Sequence, residues 1–293
     1  MKEIFLGFKA YDVHELLCHA IAEAAGMYAS AGIRTKLIDT TFLPEDAIPI
    51  NTFHVACGAA LGDFLSGLNR RVLYVACDRP MFWLYGRAGV DRIEQLSTGR
   101  VATFPAIAPP AKFLQKLFED EGIAPDLLPS RDDIARLQLL VSGSVDAALL
   151  SSLFTPAEVV QRGCNQLAFI GENLRLPSSG LAVSGEFLSR QAGLVTSMVD
   201  IYQQAMKIIF DDDQTLLRRV LASDFRMPPA ELDQTVQIIR NCYNPLGYSS
   251  DSLLQSAVDN VAKAMNVETR PADELYDFSF LKNLKKFRRD SCA

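Results

Sequence analysis

Short apolar segments with strand character alternate with helical segments through the first two thirds of the chain, and this alternation leaves few folds open. "EIFLGF" reads as a strand, followed by a helix from roughly Val13 to Ser30. "RTKLIDT" and "TFHVACG" read as strands, "AALGDFLSGLN" as a helix and "RVLYVAC" as a buried strand. Strands separated by helices pair through crossovers, side by side and parallel, with helices covering both faces. The pattern then restarts. "GRVATFP" is a strand and "APPAKFLQKLFEDEGI" a helix, opened by prolines where the missing N–H has no partner in any case. "SVDAALLS" is a strand, "TPAEVVQRG" a helix and "NQLAFIGE" a strand, and from Glu186 onward the pattern is almost wholly helical. The expected class is α/β: two Rossmann-like lobes with mainly parallel sheets and a helical C-terminal segment.

The two halves share a layout. "FHVACGAAL" and "VDAALLSSL" each run from a short strand with one polar residue into small residues that open a helix, and His54 stands where Asp146 stands. Each places a tight turn at the carboxyl edge of a parallel sheet, where open α/β sheets bind ligands and where helix N-termini favour anions.

Composition narrows the function. A net charge of -6 and a pI near 5.2 exclude a basic nucleic-acid footprint. No apolar run approaches the roughly 20 residues of a membrane span, and "MKEIFLGFKA" is too short in its apolar part for a signal peptide. As the sequence stands, a cytoplasmic location is expected. The six cysteines are scattered, without a C-x-x-C pair, and sit among small apolar neighbours, which reads as buried free thiols in a reducing compartment.

"AYDVHELLCHA", residues 10 to 20, holds two of the three histidines. The metalloprotease motif H-E-x-x-H sets two histidines on one helical face; His14 and His19 are one residue further apart, and the extra step of roughly 100° swings them off a common face. His14 and Cys18 share a face, but two ligands fall short of the four of a structural zinc site. No metal and no cofactor is expected, and the stretch reads as the amphipathic wall of a pocket.

In order and spacing the chain resembles the type II periplasmic solute-binding proteins of ABC transporters, in the NMT/THI-like branch that binds sulfonates, nitrate, taurine and thiamine-precursor pyrimidines. The resemblance is carried by "AAGMYASAGIRTKLID", "GRVATFP", "SGSVDAALLSS", "SSGLAVSGEFLSRQAGLVTSMVDIYQQAMKII" and "DELYDFSFLKNL". It implies one lobe of residues 1–84 and 185–293, a second of residues 85–184, and a ligand cleft between them that closes by a hinge. It also implies a periplasmic location, a small-molecule ligand, an ABC permease as partner and no membrane insertion. Three departures stand out: no export signal is visible, the acid of the first lobe is replaced by His54, and the cysteine-rich motif of the pyrimidine synthase is missing.

By this resemblance Lys9, Ala10, Tyr11 and Asp12 form the first ligand-facing turn. Asp39, Thr40 and Thr41 follow the second strand, where their groups either bind a polar ligand or cap a turn. Gly58, Ala59 and Ala60 open a helix whose N–H groups a ligand can approach. Asp78 and Arg79 end the next strand, with Arg79 suited to clamp a carboxylate or sulfonate. In lobe two, Phe104, Pro105 and Ala106 form the facing turn, and Ser151, Ser152 and Phe154 add hydroxyls and an aromatic wall. Asp146 is read as holding a turn, and Trp83, Phe82 and Tyr85 as core or as a stacking surface. The closing "LKNLKKFRRD" is read as a solvated basic helix end. The main reading is a receptor for a small polar, anionic or aromatic, molecule. The alternative is a cytoplasmic enzyme on the same fold: a decarboxylase, a desulfinase or a thiamine-pyrimidine synthase-like protein. "TFHVAC" is similar to the segment around the catalytic histidine of a desulfinase, which gives His54 a catalytic role in that case. The desulfinase's nucleophilic cysteine is replaced by Ala10.

Overall fold

A computed structural model describes residues 1–106, 108–130 and 132–281. "KNLKKFRRD", which makes up most of the basic closing segment, and Cys292 lie outside the described residues. The chain forms two compact units, Met1–Asp78 with Leu176–Ala293, and Arg79–Arg175. These boundaries differ from the expected 84 and 184. The reason is strand pairing: Phe82–Gly86 hydrogen-bonds within the sheet of the second unit, and Ser179–Ser184 within that of the first.

In chain order the first unit opens with β1 (Lys2–Phe8), α1 (Val13–Ala24), α2 (Met27–Ser30), β2 (Ile33–Asp39), β3 (Thr52–His54), α3 (Cys57–Leu65) and β4 (Arg70–Cys77). The second unit holds β5 (Phe82–Gly86), β6 (Arg100–Thr103), α4 (Pro109–Asp120), β7 (Asp126–Pro129), α5 (Asp133–Val141), β8 (Ala147–Ser151), α6 (Pro156–Gln161), β9 (Asn165–Phe169) and α7 (Ile170–Asn173). The chain returns to the first unit through β10 (Ser179–Ser184) and continues with α8 (Gly185–Arg190), α9 (Ala192–Phe210), α10 (Thr215–Ser223), α11 (Leu232–Cys242) and α12 (Asp251–Met265).

Each unit is built on one five-stranded sheet, ordered β2-β1-β3-β10-β4 in the first and β7-β6-β8-β5-β9 in the second. Both sheets are mixed. Four strands run one way and one is reversed: β10 is antiparallel to β3 and β4, and β5 to β8 and β9. The reversed strands are the first or last of the segments that carry the chain from one unit to the other. Five elements were not expected from the sequence: β5, β7, α5, α7 and β10. The helix expected from Val13 to Ser30 breaks at Gly26, which takes the left-handed φ of 69° that glycine tolerates best, and a single turn, α2, follows.

Local chemistry sets the helix starts. The Asp12 side chain accepts from the Glu15 N–H and caps α1, and Asp132, Thr155, Ser184 and Ser250 cap α5, α6, α8 and α12 in the same way. Such a cap stabilises a helix by about 1 kcal/mol. Packing does the rest. In α1 the buried face of Val13, Leu16, Leu17, Ala20 and Ile21 meets α9 and α10. Each fully buried leucine or isoleucine contributes about 1.5–3 kcal/mol over its exposed state. In the second unit Leu84, Val101, Leu114, Phe118, Ala147 and Leu149 form the centre of the core. No helix among the described residues is long and apolar enough to cross a membrane.

One glycine decides whether β10 fits. A Cβ at Gly180 would lie 1.9 Å from the carbonyl oxygen of Tyr74 on β4, and the register of the pair slips beside it. The approach leaves room for hydrogen only. We therefore expect Gly180→Ala to destabilise the protein by about 3 kcal/mol or more. Urea unfolding checks this; a loss under about 1 kcal/mol would show that β4 and β10 can part without cost.

Candidate functional site

The carboxyl ends of β1, β2, β3 and β4 lie along one edge of the first unit's sheet, and β10 begins there. The turn after β1 is held from several sides. The Lys9 N–H donates to Oε2 of Glu15 at 2.7 Å, and the Ala10 N–H also donates to that carboxylate. Lys9 Nζ donates to the Thr40 carbonyl at 2.7 Å, and Thr41 Oγ1 donates to the Lys9 carbonyl at 2.9 Å. Thr40 Oγ1 donates to the Phe8 carbonyl at 3.1 Å, and Asp39 Oδ1 accepts from the Thr41 N–H. The donors of Lys9, Ala10, Thr40 and Thr41 therefore tie strand ends together, and Asp12 is a buried helix cap. Tyr11 is 49% exposed, edge-on to Phe8 and tilted against Phe225. Phe225 has no strand or motif around it in the sequence and was not foreseen there.

Burial, reinforced by the Asp12 carboxylate, raises the pKa of Glu15 to about 8, while the N–H groups of Lys9 and Ala10 pull it down. Burial lowers the pKa of Lys9, against the pull of the Asp63, Glu15 and Asp39 carboxylates.

His54 ends β3, level with Gly7 on β1 and Ala182 on β10, and is 8% exposed. No described residue hydrogen-bonds to its imidazole. Burial, then the cationic Arg70 and Lys9, lowers its pKa to about 3, so the ring is neutral at any ordinary pH. Arg70 is itself buried, paired with Asp63 at 3.0 Å and with Glu45. A Cβ on Gly7 would meet the Thr52 and Thr40 methyls at 2.9 and 3.0 Å, so glycine makes room for those two side chains, and the same position lies 3.5 Å from His54 Nδ1, an ordinary contact.

The helix α3 starts beside this ring with no side-chain cap at Ala56. The Gly58 N–H donates to the Ser178 carbonyl at 3.2 Å, and Ala60 closes the first helical turn onto Ala56. Asp78 is buried and accepts from Asn244 Nδ2 at 3.3 Å. Arg79 belongs to the second unit, where its Nη1 donates to the Gly171 and Glu172 carbonyls at 3.3 Å, an anchor for α7. The histidines of "AYDVHELLCHA" separate. Ser178 Oγ donates to the Cys77 carbonyl at 2.9 Å, so its lone pair accepts from His14 Nε2 at 2.9 Å. His19 Nδ1 pairs with the Tyr28 hydroxyl at 3.2 Å. The stretch is packing and bracing, with only its start in the turn after β1.

In the second unit, Phe104 and Pro105 follow β6 and Ser151 ends β8, at one edge of the sheet. The Ser151 N–H donates to Asp133 Oδ1 at 2.7 Å, its hydroxyl contacts Oδ2 at 3.2 Å, and that hydroxyl accepts from the Leu153 N–H. Asp133 pairs with Arg136 at 2.9 Å, and the Arg136 guanidinium lies 3.6 Å from the centre of the Phe104 ring. Asp133 and Arg136 were missed from the sequence; the signal was there in "SRDDIARLQLL", an acid and a base three apart on the apolar face of a helix. Phe82 meets Phe104 edge to face, and Trp83 is buried, stacked on Phe169 at 4.8 Å. Ser152, Phe154 and Ala106 remain at the surface of the same edge, partly or fully exposed. Asp146 holds a turn, accepting from the Arg100 N–H and from Arg87. A cavity of about 1120 Å³ in the first unit, lined by Thr196, Asp251, Gln255, Tyr276 and Phe278 among others, includes none of the expected site residues.

No protein-family model matches this chain, and no curated protein matches its sequence. Solved structures do. The two units and their mixed sheets are those of the periplasmic binding proteins, and that is the fold of this chain. The alkanesulfonate-binding protein SsuA of Xanthomonas axonopodis pv. citri, solved with MOPS, superposes with a TM-score of 0.74 at 14% identity, over 94% of this chain and 99% of that one. A Candida albicans protein described as having the generic periplasmic binding protein fold gives 0.72 at 12% identity, over 94% and 96%. The desulfurization enzyme DSZB gives 0.68 at 15% identity, over 98% and 100%.

The buried imidazoles generate a pH prediction. Burial lowers His14 and His19 to about 4 and His54 to about 3, against 6.5 for the free side chain. Between those values the unfolded chain binds more protons than the folded one, so stability falls as pH drops below 6.5. Glu15, raised from 4.5 to about 8, acts in the opposite sense with one proton against three. We expect the urea midpoint to fall from pH 6.5 to pH 5, and to fall less in His14→Gln. A midpoint that holds or rises over that window contradicts the burial of these rings.

Proposed function

We propose that this protein is a solute-binding protein whose ligand is a small anion, with sulfonates the first class to test, received at the carboxyl edge of the first unit's sheet. The observation that carries the reading is His54: a neutral imidazole, more than nine-tenths buried, with no hydrogen-bond partner among the described residues, in the field of the Lys9 ammonium. Neither ring nitrogen is spent on a described residue, so a ligand atom at this edge can hydrogen-bond to it. An ammonium with donors beyond the one given to Thr40 supplies the charge. The uncapped start of α3 adds partial positive charge on the same edge. SsuA, with the same fold, is by name an alkanesulfonate-binding protein, which supports the choice of class. In this reading Lys9, Tyr11, His54 and Ala59 contact the solute, while Asp12, Thr40, Thr41 and Asp78 hold the edge in shape. The chain delivers its solute to an ABC permease.

The likeness to DSZB supports a second reading, an enzyme on this fold. The thiol chemistry counts against its covalent form. The first turn carries Ala10, and the five described cysteines, Cys18, Cys57, Cys77, Cys164 and Cys242, are buried, with burial pushing the pKa of Cys18, Cys57 and Cys164 up. Thiols held protonated are poor nucleophiles.

Calorimetry with a panel of sulfonates and carboxylates, followed by mass spectrometry of the recovered solute, tests both readings. We expect binding with the solute unchanged. Lys9→Met should weaken affinity by roughly tenfold, about 1.4 kcal/mol, and His54→Asn should also weaken it. Absence of binding across the panel overturns the receptor reading. Turnover that disappears in His54→Asn establishes the enzyme.

A further inference from the structure

Phe225 reaches the turn after β1 from far along the chain, and the backbone beside it is bent to bring it there. It follows α10, which packs against α1. The next residue, Arg226, takes a left-handed φ of 53°, and the Met227 N–H closes the reversal onto the Leu221 carbonyl at 3.0 Å. Asn266 has a similar φ of 56°, but it ends α12, where asparagine is an ordinary choice. In an arginine the conformation is strained, because Cβ crowds the following carbonyl oxygen. Strain of this kind persists only where the surrounding structure holds it, and it gathers at functional sites. Here Met227 is buried and anchors the far side of the turn, while Phe225 stays half-buried against Tyr11.

The turn completes a row of three rings. Phe8, the last residue of β1, lies edge-on to Tyr11, with ring centres 5.9 Å apart and planes at 83°, and Phe225 meets Tyr11 at 6.3 Å and 44°. Tyr11 is nevertheless 49% exposed. Rings from two separate segments brace it and leave the rest of its surface open at the edge. Lys9 stands two residues earlier in the same turn, its Nζ on the Thr40 carbonyl and its N–H on the Glu15 carboxylate. Ammonium and rings thus belong to one braced turn of one unit. A flat group attached to an anion held by Lys9 meets a ring already fixed in place, in the offset or edge-on geometries that aromatic pairs prefer. An alkyl chain gains the buried area but not the ring–ring contact.

We propose that Phe225 is a specificity-determining residue: aimed by the left-handed turn at Arg226, it forms with Tyr11 and Phe8 an aromatic wall on the Lys9 turn, and this wall selects anions bearing a planar aromatic group over alkyl anions of the same charge. The proposal rests on the solute-binding reading and deepens it to the substrate class. All of its residues lie in the first unit.

The test is calorimetry on the full chain with benzenesulfonate and ethanesulfonate, for wild type, Phe225→Leu, Tyr11→Leu and Arg226→Asn, with thermal unfolding of each variant in parallel. Wild type should prefer benzenesulfonate by about tenfold. Phe225→Leu retains apolar bulk but no ring, and should bring the ratio to within about twofold, as should Tyr11→Leu. Arg226→Asn removes the guanidinium and keeps the left-handed turn, which asparagine tolerates, so it should leave the ratio unchanged. The ratio is the informative readout, since structural damage weakens both ligands together and leaves it alone. If Phe225→Leu does not fold, the Tyr11→Leu ratio decides. Equal affinities in wild type, or a ratio unchanged by Phe225→Leu, overturn the inference and leave the solute-binding reading in place. A ratio lost in Arg226→Asn assigns the selection to the guanidinium and overturns the inference as well. Binding of neither sulfonate overturns the sulfonate reading and the inference with it.

Discussion

The first unit's sheet depends on a contact in which a side chain is forbidden. β10 lies between β3 and β4, and Gly180 brings its backbone so close to the Tyr74 carbonyl that a methyl group has no room. The Gly180 N–H also donates to the Val55 carbonyl, just past β3. With β10 absent, β4 would have no partner in the sheet, and the edge on which His54 and Asp78 sit would come apart. A returning strand that must run against its neighbours achieves this closeness only where the sequence carries no Cβ.

Around that frame the polar groups at the strand ends are mostly committed. Lys9, Thr40 and Thr41 tie β1 to β2, Asp12 caps α1, Ser178 joins His14 to the end of β4, and Ser151 is taken by Asp133. Groups spent on the backbone shape a site more than they recognise a ligand. A few side chains at the strand ends are not tied to the backbone. His54 is buried without a hydrogen-bond partner among the described residues, Tyr11 is exposed, and Phe104 has a guanidinium behind it.

Much of the architecture was legible in the sequence because hydrophobic periodicity and capping are local. "EIFLGF" and "RVLYVAC" are strands, "NQLAFIGE" is one through Phe169 before turning into α7, and the helices opened by Asp12 and Thr155 begin where those residues predict. β7 was missed because "DLLP" is a short edge strand with exposed residues. β10 was missed because "SGLAVS" resembles any buried apolar run until its antiparallel partners are known. The turns Lys9–Asp12 and Phe104–Pro105 were legible as strand-to-helix junctions, whereas Phe225, reaching Tyr11 from the distant α10 region, was not.

By itself the sequence determined the α/β class, the helical C-terminal part and the carboxyl-edge turns, since each follows from local pattern. Only the tertiary structure decided which polar residues are spent and which are left. That Thr40 and Thr41 donate to β1, that Arg79 anchors α7 and that Arg136 lies under Phe104 are contacts between residues far apart along the chain or on different strands and helices. A residue type states what a group can do; the partner that burial brings to it decides whether that capacity is already used.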